Sequence, residues 1–90
     1  MSEKIVVIVE DEVLLALELE DLCADLNCQV LGVAASAQEA REKFAGLRPD
    51  MLITDMELAE GSDGIEVAQT MRRRHPGIGI VTCPPVVPRS

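Results

Sequence analysis

The sequence predicts an α/β fold built on a four-stranded parallel sheet with three crossover helices. Three observations carry that expectation. Four short apolar segments alternate strictly with three segments of helical period. The first apolar segment is β-branched and shows no polar face. Capping or stop residues separate the segments.

KIVVIV, Lys4 to Val9, is a continuous run of the kind found in strands covered on both faces. From Glu12 to about Asn27 the pattern turns helical. Leu15, Leu19, Leu22 and Leu26 should form one buried stripe, with Val13, Leu17 and Ala24 on roughly the opposite side. QVLGVA, Gln29 to Ala34, is the second strand. Ser36-Ala37-Gln38-Glu39 reads as a capping box. It opens a helix with Ala37, Ala40, Phe44 and Leu47 inward, which Arg48-Pro49 stops. DMLITD, Asp50 to Asp55, is the third strand. The loop MELAEGSDG leads to a helix from about Gly64 to Arg74, with Ile65, Ala68 and Met71 inward. Arg72 to Arg74 sit favourably at the negative end of that helix's dipole, as a solvated helix end. His75-Pro76-Gly77 is a stop, with His75 expected to be solvated, and IGIVT, Ile78 to Thr82, is the fourth strand. Such alternation implies a parallel sheet with right-handed crossovers. Pro84, Pro85 and Pro88 then forbid helix and central strand, so residues 1–83 are read as the domain and 84–90 as a proline-rich tail.

Ninety residues allow one small domain, which buries roughly 60% of the surface its unfolded chain exposes. Phe44 is the only aromatic residue, so the core is aliphatic. A net charge of −8 argues against nucleic acid or an anionic membrane as partner, and fits a cation or a basic protein surface. No signal peptide or membrane-spanning run is apparent, and the expected location is cytoplasmic. The three cysteines lack metal-type spacing and read as small buried hydrophobes in a reducing compartment.

In open parallel sheets, ligands bind beyond the carboxyl ends of the strands, where the strand order reverses. Here those ends carry Glu10-Asp11-Glu12, Asp55 and Thr82. If the first and third strands are neighbours, Glu10, Asp11 and Asp55 converge. A hard divalent ion such as Mg²⁺ would offset their mutual repulsion. An aspartate beside Mg²⁺ can accept a phosphoryl group, while Thr82 donates a hydrogen bond to a phosphoryl oxygen. Against this stand plainer roles: Asp11 as a helix cap, Asp55 as a turn residue and Thr82 as a strand end.

VVIVEDE, LITDMEL, SDGIEVA and GIVT, in that order and spacing, resemble the receiver domain of two-component response regulators. The resemblance covers about residues 4 to 82. It implies a flavodoxin-like receiver fold with strand order 2-1-3-4, Asp55 as phosphoacceptor and Thr82 as switch hydroxyl. It also implies Mg²⁺ held by Glu10, Asp11, Asp55 and the backbone carbonyl of Glu57, and a histidine kinase or phosphotransfer protein as partner. Gly64 matches the glycine that opens the third helix, although LAEGSDG replaces the usual Met-Pro turn with a spacing one residue longer.

Receivers continue with a fourth helix, a fifth strand bearing a lysine, and a fifth helix, so this chain is expected to be a truncated receiver. Its only lysines are Lys4 and Lys43. Without a fifth strand, residues 78–82 would form an apolar edge, and the missing fifth helix would uncover a sheet face beside the first helix. A homodimer through that strand and face is therefore expected. The competing expectation is a receiver-like interaction module that has lost phosphoryl chemistry and sequesters a kinase or another regulator. A hydrolase is disfavoured, because nothing in the sequence builds a substrate pocket.

Overall fold

Strands and helices alternate along the chain as β1 (Lys4–Val9), α1 (Val13–Asp25), β2 (Cys28–Ala34), α2 (Ala37–Lys43), β3 (Met51–Asp55), α3 (Gly64–Arg74) and β4 (Gly79–Cys83). This is a computed structural model, which describes residues 4–55 and 64–83. The expected loop and tail lie outside the described residues. All pairings are parallel and the sheet order is β2-β1-β3-β4, the order the receiver resemblance implies. β1 is central because its β-branched side chains can be covered on both faces.

Pleating sorts those side chains. Val7 and Val9 join Leu52, Phe44, Val67 and Met71 in a core shared with α2 and α3. Val6 and Ile8 join Ile53 and Cys23 in a second cluster shared with α1. Val6, Val7, Ile8 and Val9 are all wholly buried. Each contributes roughly 1.5–3 kcal/mol by area burial, so β1 anchors both halves of the core.

The orientation of α1 differs from the expected leucine stripe. Ala16 and Cys23 are its buried residues, Leu19 packs against the cluster that Cys23 joins, and Leu22 and Leu26 are exposed. A helix with apolar residues on nearly every side gives periodicity little to choose between. The buried positions then go to small side chains. The helix ends as Leu26 N–H bonds back to the Leu22 and Cys23 carbonyls, and Asn27 takes a left-handed φ of 59°.

On β2, Val6 pairs with Val30 but Val7 pairs with Gly32, so Leu31 is an extra, exposed residue in a bulge. A bulge on an edge strand disfavours pairing with another sheet. Beneath it, Phe44 packs so closely that a Cβ on Gly32 would stand 3.0 Å from its Cε1.

The α2 stripe is as expected: Ala37, Ala40 and Phe44 are buried and Leu47 packs beside them. The helix itself stops at Lys43, earlier than Arg48-Pro49. Phe44 N–H still reaches the Ala40 carbonyl, but Leu47 N–H turns back to Phe44 O at 3.1 Å, and Ala45-Gly46 does not continue the helix. Lys43 Nζ donates to the Val33 carbonyl at 2.8 Å, which fixes this end against β2. In α3, Val67 and Met71 are buried and Ala68 packs beside them. Arg41 bonds Glu66 at 2.8 Å between the two helices.

On the α1 side of the sheet, Ile53 and Val81 are register partners with different cover. Ile53 is 8% exposed and Val81 46%, so β4 is the thinly covered edge among the described residues.

Candidate functional site

β1 is extended by one bond beyond Val9, where Glu10 N–H donates to the Ala34 carbonyl at 2.8 Å. This fixes Glu10 at the carboxyl edge of the sheet, with 3% of its surface exposed. Its Oε2 accepts from Glu12 N–H at 3.0 Å, across the entry to α1. Glu12 is the N-cap residue and supplies no side-chain cap of its own. Glu10 therefore satisfies an amide at the helix entry that would otherwise depend on water.

Asp11 does not take the capping role. It is exposed and makes no side-chain hydrogen bond among the described residues. A solvent-facing carboxylate with no structural commitment sits beside a buried one that is held in place.

Val9 pairs with Thr54 across β1 and β3, so Glu10 and Asp55 each follow that rung by one residue. Their backbones are thus level at the point where the strand order reverses, the crevice position in open α/β sheets. Thr54 also pairs with Thr82 on β4, and Asp55 pairs with Cys83. Thr82 is therefore one rung short of the Asp55 rung. It is partly exposed, whereas Thr54, which sequence reasoning did not single out, is wholly buried between them. Only the cross-strand register could have identified Thr54.

Asp55 is described here by its backbone, and Glu57 lies outside the described residues. Among the described residues no three His, Cys, Asp or Glu side chains gather into a metal-holding group. Glu10 and Asp11 supply only carboxylate oxygens, the chemistry a small hard cation such as Mg²⁺ requires, and Asp11 is uncommitted. That donor set fits the ion.

The description "Response regulator receiver domain" belongs to the family model that matches residues 6–84. The chain belongs to this family. Receivers are phosphoaccepting modules of two-component signalling rather than enzymes, and they generally bind Mg²⁺ at the phosphorylation site. The chain is 36% identical over 67 residues to the phyllosphere-induced regulator PhyR of Methylorubrum extorquens, covering 73% of this chain and 25% of that protein. It superposes on the solution structure of the Erythrobacter litoralis PhyR receiver domain with a TM-score of 0.85 and 32% identity, covering 91% of this chain and 63% of the other. A third match is the anti-anti-sigma factor PhyR of Bartonella quintana in complex with the anti-sigma factor NepR. Its TM-score is 0.81 at 29% identity, covering 89% of this chain and 32% of that one. The receiver thus spans a quarter to a third of the whole PhyR proteins it resembles. Among its described residues no helix is long and apolar enough to cross a membrane.

Cys23 is buried, and burial raises its thiol pKa, with further upward contributions from Cys28 and Glu20. His75, expected to be solvated, is half-buried, and its Nε2 has no hydrogen-bond partner among the described residues.

Proposed function

We propose that the chain is a phosphoacceptor receiver in which Asp55 takes a phosphoryl group from a histidine kinase or phosphotransfer protein. The observation that carries this reading is the Val9–Thr54 rung, which leaves Glu10 and Asp55 level at the strand-order reversal. Asp55 attacks phosphorus in line, the phosphorus–nitrogen bond of the donor histidine breaks, and an acyl phosphate forms. Glu10, Asp11, Asp55 and the Glu57 carbonyl would hold Mg²⁺. The ion would supply charge neutralisation for the phosphoryl oxygens. Asp11, exposed, would be a ligand to the ion, and Glu10 keeps the β1–α1 entry rigid through Glu12 N–H. Thr82 donates its hydroxyl to a phosphoryl oxygen and draws the end of β4 with it.

Intact mass measurement after incubation with a small acyl phosphate, with and without Mg²⁺, tests the proposal. One added phosphoryl group that requires Mg²⁺ and disappears in Asp55→Asn is the expected result. No gain under any condition sinks it.

That negative result would favour a second reading, an interaction module that acts through protein contacts without phosphoryl chemistry. Its support is the exposed apolar surface of Val13, Leu14 and Leu17 on α1 and Val81 on β4. In either reading two copies pair through β4, whose Val81 side is thinly covered. Light scattering that finds only monomer at micromolar concentration would rule the pairing out.

A further inference from the structure

The amino end of the sheet, opposite Glu10 and Asp55, carries a second concavity. The turns that follow α2 and α3 wall an open groove of about 700 Å³. Its lining joins Arg48 and Arg74 to apolar surface from Ala45 and Pro76, with the buried Pro49 and Ile78 beneath. Among the described residues, neither arginine makes an ion pair or a side-chain hydrogen bond, whereas Arg41 pairs with Glu66 and Lys43 with Glu39. Favourable placement at a helix carboxyl terminus accounts for Arg74 at the end of α3. It does not account for Arg48, which comes from a different turn and meets the same groove.

The charge of the groove runs against that of the chain. The molecule carries −8 overall, yet Arg48 precedes β3 and Arg72, Arg73 and Arg74 end the helix before β4, all toward the amino ends of the strands. The lining includes Asp50, but its Oδ2 is held by Ile5 N–H at 2.8 Å and serves the backbone there. A groove with two uncommitted guanidinium groups over an apolar floor suits a ligand that offers both carboxylates and aliphatic side chains. An extended polyanion such as a nucleic acid would also meet the acidic remainder of the surface.

We infer that this groove docks an acidic, partly apolar segment of a partner protein, with carboxylates on Arg48 and Arg74 and an aliphatic side chain against Ala45 and Pro76. The surface is separate from the phosphoacceptor end, so a partner held there leaves Asp55 open to its donor.

Gly77 supplies a test that leaves the arginines in place. It lines the groove, and a Cβ added to it meets nothing within 4 Å. Gly77→Glu therefore introduces a repelling carboxylate, and Gly77→Gln controls for size. The measurement is fluorescence anisotropy of a labelled peptide of alternating glutamate and leucine, titrated with the full chain at low salt. Wild-type protein should bind saturably and more weakly as salt rises. Gly77→Glu and the Arg48→Glu/Arg74→Glu double variant should each weaken binding about tenfold or more. Gly77→Gln should stay close to wild type, and circular dichroism should show all variants folded. Absent saturable binding, equal binding by the charge variants, or tighter binding of a lysine–leucine peptide or a DNA oligonucleotide would overturn the inference.

Discussion

Glu10 accepts a hydrogen bond from Glu12 N–H at 3.0 Å, and the residue between them, Asp11, is left exposed without a side-chain bond among the described residues. Two adjacent acids in one motif therefore have different physical duties. Glu10 is 3% exposed and part of the fold, whereas Asp11 is free to meet an ion.

Thermal unfolding separates the two. In EDTA, Asp11→Asn should not lower the melting temperature, because its side chain bonds to none of the described residues. Glu10→Ala should cost about 1–3 kcal/mol, since it removes the acceptor for Glu12 N–H and empties a buried position. Adding Mg²⁺ should raise the melting temperature of the wild type and leave Asp11→Asn unmoved. A rise of equal size in Asp11→Asn would remove Asp11 from the ion site.

The element order and all four strands were legible in the sequence because β-branched runs and stop residues act locally. The α2 stripe was legible because its inward residues are flanked by charged ones. The face of α1 was not. Leu15, Leu19, Leu22 and Leu26 have the right period, but so do Ala16 and Cys23, and the sheet took the smaller pair. At the candidate site, the positions of Glu10, Asp11 and Asp55 at or just past strand ends were legible, while Thr82 was read as a strand end and lies one residue before it. The division of labour between Glu10 and Asp11 could not, because it depends on a bond that skips one residue. Nor could the groove between Arg48 and Arg74, whose walls lie far apart in sequence.

Gly32 and Phe44 should behave as one unit. A methyl on Gly32 would stand 3.0 Å from Phe44 Cε1, and Phe44 is buried in the main core with little room to retreat. Gly32→Ala should destabilise the receiver by about 1–3 kcal/mol through overpacking. Phe44→Leu should cost a similar amount alone, by leaving space, yet the double variant should be more stable than the sum implies. Urea denaturation of the four proteins gives the coupling, and strict additivity would show that the ring yields freely.

Ser36 caps α2 through its hydroxyl, which accepts from Glu39 N–H at 3.1 Å. Glu39 reaches back to Ala35 N–H at 3.3 Å rather than to Ser36, so the expected capping box closes one residue early. A helix of seven residues cannot persist on propensity alone and depends on its ends and its packing. Ser36→Ala should therefore cost about 1 kcal/mol, near the middle of the range for N-caps, while Ser36→Asp should retain most of the stability. Equal losses in both would point to packing around the buried Ser36 instead of the cap.

Cys23 should make stability fall at alkaline pH. Burial, then the neighbouring Cys28 and Glu20, raise its thiol pKa in the folded receiver. The folded state therefore holds that proton at pH values where the unfolded chain, with an ordinary thiol near about 8.5, has begun to lose it. The resulting stabilisation is complete below the unfolded pKa and is lost as pH rises through the folded one. Cys23→Ala removes this dependence, so the stability difference between wild type and variant should be constant from pH 6 to about 8 and shrink above about 8.5. Urea denaturation across that range measures it. Iodoacetamide near neutral pH should alkylate the partly exposed Cys28 well before the buried Cys23, because the thiolate is the reactive form and Cys23 forms it late. A difference that grows with pH, or prompt alkylation of Cys23 in the folded protein, would contradict the buried assignment on which the α1 packing rests.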